Sequence, residues 1–384
     1  MKHPPFRPFF LLATIDAVAG GLVWLPYVLS KPDFIMASIS AAEWHRAALL
    51  FGMVPATLSG FLLTAVPRWT GQPIASRRSV VSLLILWAAS RIAFVVASPR
   101  LGIALAALLL TYLSMLVGRT VLAARDVRNV KIVLLLGAFG CSAALSAMAV
   151  EVELALRVAL AAIVGLLMII GGRLVPALAS AYAEARASPF NPRRRVSIER
   201  GAALAAAAAL VLWAAAPQHL VTGAACAVAA LAQLLRAAQW RSWRSGASAV
   251  VALHAGYGWI VAGFAMLAAH IYEPHAVASA AGIHAWTIGG LGTMEIAVMS
   301  SMIRRHSGRA FAKSSLATAA FLLMTLSCLA RLSAELTADD PAFWISLSGG
   351  LWVAAFISFL MSYGRQMYGL PEARRDLLDS RAGT

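Results

Sequence analysis

Three histidines, His45, His254 and His284, lie in or at the edge of runs so apolar that they read as membrane spans. A polar ring in hydrocarbon must find a partner, so each is a ligand candidate or a buried hydrogen-bonding group. A non-covalent haem needs only one or two such axial groups. Asp16, Arg91, Arg173 and Glu295 share the apolar runs. Arg91, near the middle of the third run, should face the bundle and meet a carboxylate, backbone carbonyls or a cofactor propionate. Arg173 stands in Gly171-Gly172-Arg173-Leu174-Val175-Pro176, where the proline can free backbone carbonyls. For both arginines a structural ion pair outweighs a ligand contact.

At helical spacing His284, Ile288, Leu291, Glu295 and Met302 fall within about 40° of one direction, with Glu295 roughly 16 Å deeper than His284. Between them Gly289-Gly290-Leu291-Gly292 lacks bulk, which admits a neighbouring helix or a flat ligand. His45 is followed on its own face by Leu49, Gly52, Ala56, Ser59 and Leu63, a slot that suits either a tetrapyrrole or ordinary small-residue packing. His254 and His270 would be about 24 Å apart along one helix and cannot serve one site. His270, His275 and His219 read as solvated end residues.

Signatures of water-based catalysis are missing: no Ser/His/Asp order, no phosphate-binding glycine loop, no HExxH. The lack of CxxCH excludes a c-type haem, and Cys141, Cys226 and Cys328, with no metal-type spacing, read as packing residues.

The elements that must position these residues follow from composition. Of 384 residues 61% are hydrophobic and 12% charged, with repeated long apolar runs, which makes the chain an all-α polytopic membrane protein. Spans are expected near 8–29, 44–66, 80–97, 101–118, 132–149, 154–178, 201–216, 219–235, 250–270, 276–303, 315–333 and 342–363, forming a single transmembrane helical domain over 1–384. The first run has no convincing cleavage site and reads as a retained span.

Charge placement supports twelve spans. With a cytoplasmic N-terminus, the even-numbered connections gather Arg68, Arg77 and Arg78; Arg119, Arg125, Arg128 and Lys131; Arg186, Arg193, Arg194, Arg195 and Arg200; Arg236, Arg241 and Arg244; and Arg304, Arg305, Arg309 and Lys313. The odd connections carry Asp33, Glu43, Glu151, Glu153, Glu273, Glu335, Asp339 and Asp340. Both termini are therefore expected in the cytoplasm. The net charge of +16 reads as topology signals facing anionic lipid, and no nucleic-acid partner is expected.

Several blocks in order resemble the NnrS family: Phe6-Arg7-Pro8-Phe9-Phe10, Trp44-His45 with Phe51-Gly52, and Gly60 to Gly71 with its Val66-Pro67-Arg68-Trp69. The likeness continues in Gly171-Gly172-Arg173 with Pro176, Leu253-His254 with Tyr257, His284-Ala285 with Thr287 and Gly289, and His306-Ser307-Gly308-Arg309. The resemblance implies a bacterial inner-membrane protein of about twelve helices, associated with haem and copper and with the response to nitric oxide during denitrification or nitrosative stress. The family's second-span pattern reads Trp-His-Ala-His-Glu-Met, whereas this chain has Trp44-His45-Arg46-Ala47-Ala48-Leu49. The second histidine and the acid are absent, which weighs against copper.

More distantly, His45 with Phe51 looks like the second helix of haem–copper oxidases, whose low-spin haem is held between histidines of the second and tenth helices. That likeness makes His45 and His284 the leading axial pair for a haem b. Depth counting at a uniform rise leaves them about 12 Å apart, a gap that staggered or tilted helices must close. His254, Arg173, Glu295 and His306 would form a second polar cluster in the inner half, for propionates, protons or a second metal. The rival readings are a transporter without a redox centre, with Arg91, Arg173, His254 and Glu295 along its path; a quinol-linked membrane oxidoreductase; and a haem or metal sensor or chaperone.

Overall fold

A backbone in hydrocarbon must satisfy its own hydrogen bonds, and runs of alanine and leucine do so most readily as helix. A computed structural model describes residues 4–30, 41–308, 313–336 and 340–368, and among them there is helix and no strand. Asp33, Arg309 and Asp339, assigned above to connections, lie outside the described residues.

The helices in chain order are α1 (Phe6–Ser30), α2 (Ala41–Ala48, Leu49–Met53 and Val54–Thr70), α3 (Arg77–Ile92, continued through Ala93–Ala97) and α4 (Pro99–Ala123). They continue as α5 (Val130–Ala147), α6 (Val152–Glu184), α7 (Val196–Ala215), α8 (Leu220–Trp240) and α9 (Ser248–Tyr272). The last three are α10 (Ser279–His284, Ala285–Gly292 and Thr293–His306), α11 (Ser315–Leu336) and α12 (Pro341–Met367). Eleven of them are, by length and composition, able to cross a membrane, and α10 has a comparable length with an interruption. The protein is a multi-pass membrane protein.

Local sequence sets several boundaries. Ser76 and Ser98 accept hydrogen bonds from Ser79 N and Leu101 N, capping α3 and α4, and Pro99 follows at a position that needs no backbone donor. His219 caps α8 by accepting from Val221 N at 3.2 Å, so this exposed histidine is structural as well as solvated.

The middle of α2 (Leu49–Met53), the end of α3 (Ala93–Ala97) and the centre of α10 (Ala285–Gly292) wind as π-helix. Their hydrogen bonds run i→i+5, a geometry frequent at functional sites, and each wide turn leaves carbonyls for other donors. Trp87 Nε1 donates to the Gly52 carbonyl in the α2 π turn at 2.9 Å, and Trp286, within the α10 π segment, donates to Ile260 O of α9 at 3.0 Å.

α2 and α10 stand at the centre of the bundle. Every residue from 289 to 300 is buried, and α2 from Leu50 to Val66 is buried almost throughout. A helix apolar on all sides belongs inside. The other helices pack around these two, with α1 against α2 and α12, α9 against α6 and α10, and α11 between α10 and α12. The two central helices carry His45 and His284.

Candidate functional site

His45, near the start of α2, and His284, at the first break of α10, line one cavity of about 190 Å³. Its walls come from α1 (Gly21, Trp24), α2 (Leu49, Met53), α6 (Leu156, Arg157, Leu160), α10 (Thr287, Ile288, Leu291), α11 (Ser327, Arg331) and α12 (Ser348, Trp352). α2 begins at Ala41 and α10 at Ser279, so His45 and His284 stand four and five residues into their helices, and both rings border this common space.

The histidines are held differently. His284 Nδ1 lies 3.4 Å from Glu335 Oε1, and Arg331 Nη2 holds the same carboxylate oxygen at 2.8 Å, with all three side chains mostly buried. A carboxylate behind Nδ1 fixes a histidine's tautomer and leaves Nε2 for a ligand. Neither Nδ1 meets the geometry of a hydrogen bond, but His45 also has no paired carboxylate among the described residues, and its ring stacks on Trp24 at 4.3 Å between centroids. Arg46, Arg157 and Arg331 border the cavity; Arg46 pairs with Glu153 at 3.1 Å and Arg157 donates to Ala214 O at 3.0 Å. Two imidazoles with cations around them could hold a metal-centred anionic cofactor.

Beside this cavity the intramembrane charges pair. Arg91 Nε donates to Asp16 Oδ1 at 3.0 Å, with the two side chains 15% and 12% exposed, so Arg91 finds the carboxylate partner expected of a buried guanidinium. The pair lies directly on Gly52, where an added Cβ would collide with Asp16 Oδ2 and the Arg91 guanidinium. Glu295, 3% exposed, accepts a short hydrogen bond from Thr57 of α2, and its Oε2 is buried without a partner.

The four residues expected to cluster in the inner half have separate neighbours. Glu295 meets Thr57, as above. His254 stands edge-on between Trp240 and Trp243, at 6.2 and 4.8 Å, with Nδ1 buried and unbonded. Arg173 donates to Asn129 Oδ1 and to Arg128 O at 3.1 Å and lies over Trp69, so its partners are neutral acceptors and an indole instead of the expected carboxylate. His306 uses both ring nitrogens: Nδ1 faces Met302 O at 2.8 Å and Nε2 faces Arg68 Nη2 at 2.7 Å, which makes Nε2 the acceptor and leaves no lone pair for a metal. Phe6 packs on the same ring at 4.8 Å. The Pro67-Arg68-Trp69 block thus ties α2 to α10 through Arg68 and to α6 through Trp69. Among the described residues no group of three or more His, Cys, Asp or Glu could hold a metal ion.

Arg236 corrects one reading. Counted above among loop residues, it is 7% exposed because α8 continues to Trp240. Its guanidinium binds Glu199 at 2.9 Å, donates to Tyr257 Oη at 2.7 Å and reaches Met168 O at 3.3 Å, while Tyr257 donates a short bond to Gln233. Glu199 also accepts from Trp240 Nε1 at 3.0 Å and Gln239 Nε2 at 3.1 Å. This network fills the space left by Gly172, where a Cβ would strike Arg236. Gln233 inside an apolar span was the signal for it. Arg331, four residues before Glu335, was the corresponding signal for the partner of His284.

The family model described as NnrS protein matches residues 3–369. No curated protein matches the chain.

Proposed function

The chain belongs to the NnrS family, and on that premise we propose that it is a haem b protein of the bacterial inner membrane that handles nitric oxide, with both termini cytoplasmic. The observation that carries the reading is the shared cavity of His45 and His284, two imidazoles brought from the two central helices, one of them backed by a carboxylate.

The donor set suits a haem: two axial imidazoles, with Arg46, Arg157 and Arg331 available to its propionates. At about 190 Å³ the cavity is smaller than the roughly 300–1,000 Å³ of common ligand pockets, and rotation of Trp24 off His45 would enlarge it. Bound haem would supply a one-electron centre that takes small gaseous ligands. His284, oriented by Glu335 and Arg331, would hold the iron more firmly than His45, whose ring is stacked on Trp24. Copper has no matching ligand set among the described residues, since both His306 nitrogens are engaged and no three-ligand group occurs.

A transporter without a redox centre is the second reading, favoured by the π breaks of α2 and α10 beside the buried Glu295. A dithionite-reduced minus oxidised spectrum of the detergent-purified protein from haem-replete cells separates the two. Soret and α bands are expected, and their absence would discard haem in favour of transport. His284→Ala should lose the haem and His45→Ala should convert it to a high-spin form; a low-spin spectrum in both variants would refute the ligand pair. Nitric oxide consumption in proteoliposomes supplied with a quinol would then distinguish an enzyme from a binder.

A further inference from the structure

A wide opening in the bundle lies away from the histidines. It is a groove of about 1,030 Å³ between α5, α6 and α7, floored by Gln233 and Arg236 of α8. Its walls are apolar from Leu154 and Ala214 at one end, past Val158, Leu134 and Ala207, to the opposite end of α6. From Leu154 to Arg173 the helix rises about 28 Å, nearly the thickness of the hydrocarbon core.

The far end of the groove is strongly basic. Lys131, Arg173, Arg194, Arg200 and Arg236 border it, against Glu199 as the acidic residue of the lining. Glu199 is engaged by Arg236 at 2.9 Å, and Arg194 is more distant from it at 3.5 Å. Arg173 is bound to the neutral acceptors Asn129 and Arg128 O. Glu199 answers Arg236 and, less closely, Arg194, and Asp126 outside the lining acts on Arg173, so five cations against one acid leave this end of the apolar trough with a net positive charge. The molecule that complements both features is an amphiphile with an anionic head and long apolar chains.

We infer that this groove binds one anionic phospholipid, its phosphate among Lys131, Arg173, Arg194 and Arg200 and its acyl chains between α6 and α7. Basic pockets between transmembrane helices recognise acidic headgroups in this way, each cation near the surface adding to the affinity. The network of Arg236, Glu199, Tyr257 and Gln233 beneath the headgroup would join the lipid to Gly172 and so to the core of α6.

The test uses the full chain in detergent, titrated with phosphatidylglycerol or with phosphatidylcholine of the same acyl chains and read by native mass spectrometry. One phosphatidylglycerol per chain is expected, at least about tenfold preferred over phosphatidylcholine. Lys131→Ala with Arg194→Ala should weaken retention at least about tenfold, since each cation is worth roughly a fivefold factor. Arg77→Ala with Arg78→Ala, which removes the same charge elsewhere, should leave retention unchanged. Ala207→Trp keeps every charge, fills the trough and should abolish binding, with helix content and elution volume confirming its fold. Equal retention of the two lipids, an equal loss in the Arg77/Arg78 pair, or undiminished binding in the Ala207 variant would overturn the inference. So would displacement of the lipid by glycerol 3-phosphate alone, which would reduce the site to an anion site. A lipid-free dimer that Ala207→Trp dissociates would assign the groove to a second copy.

Discussion

Gly52→Ala should be among the most damaging single-methyl additions to this protein. The new Cβ would occupy space now held by Asp16 Oδ2 and the Arg91 guanidinium, and Gly52 cannot retreat because Trp87 holds its carbonyl at 2.9 Å. The ion pair must therefore part. Separating a buried pair leaves both charges uncompensated and costs about 3–5 kcal/mol, whereas Gly→Ala in a helix otherwise gains roughly 1 kcal/mol. The net loss is about 2–4 kcal/mol, or roughly 30- to 1,000-fold in the folding equilibrium. Equilibrium unfolding in mixed micelles of rising SDS fraction, followed by tryptophan fluorescence, measures it. The decisive control is the background Asp16→Ala with Arg91→Met, in which the methyl has no pair to break. There Gly52→Ala should cost less than about 1 kcal/mol, a coupling large enough for a double-mutant cycle to resolve. An equal penalty in both backgrounds, or none in the wild type, would refute the argument.

Three further outcomes follow from the geometry. Glu335→Gln removes the charge behind His284 Nδ1 while keeping its shape, and haem affinity should fall about 10- to 100-fold, read by haem transfer to an acceptor protein. Trp24→Ala should increase haem occupancy on reconstitution, because the indole stacked on His45 encroaches on the cavity; decreased occupancy in a folded protein would make Trp24 a supporting wall. Arg236→Met should destabilise by about 3–5 kcal/mol in the same SDS assay, since Glu199 is left without its guanidinium, and Glu199→Gln in that background should recover a large part of the loss.

How far the sequence could be read depends on what each residue answers to. Apolar length and loop charge answer to the bilayer, a solvent common to every span, so twelve helices were legible down to the short pair α7 and α8. Arg91 was legible for the same reason, because a guanidinium in hydrocarbon must pair, and Asp16 was among the intramembrane carboxylates able to receive it. The π turns were not. They are a local change of winding, and periodicity at 100° per residue does not register them. Depth counting set His45 and His284 about 12 Å apart because it began their spans at 44 and 276, whereas α2 begins at Ala41 and α10 at Ser279, four and five residues before the two histidines. Arg236 and Glu335 were misjudged because a charge just beyond an apolar run looks the same whether the helix stops there or continues by a turn. The expected inner cluster was legible only as a common depth, which does not say which side chains face one another: Glu295 meets Thr57, His254 two indoles, and Arg173 and His306 the adjacent Trp69 and Arg68.

The contact between α1 and α12 bears on how the protein is made. Trp352 Nε1 donates to Ala17 O across 335 residues of chain. At a synthesis rate of about 5–20 residues per second, α1 enters the bilayer roughly 20–70 s before the helix that covers it. During that interval Asp16 waits first for the third helix to bring Arg91, and the rest of that face waits for the last. The first span must therefore be sheltered by lipid or by the insertion machinery through nearly the whole of biogenesis, and a ribosome that stalls before α12 releases a bundle with an open seam beside its histidines.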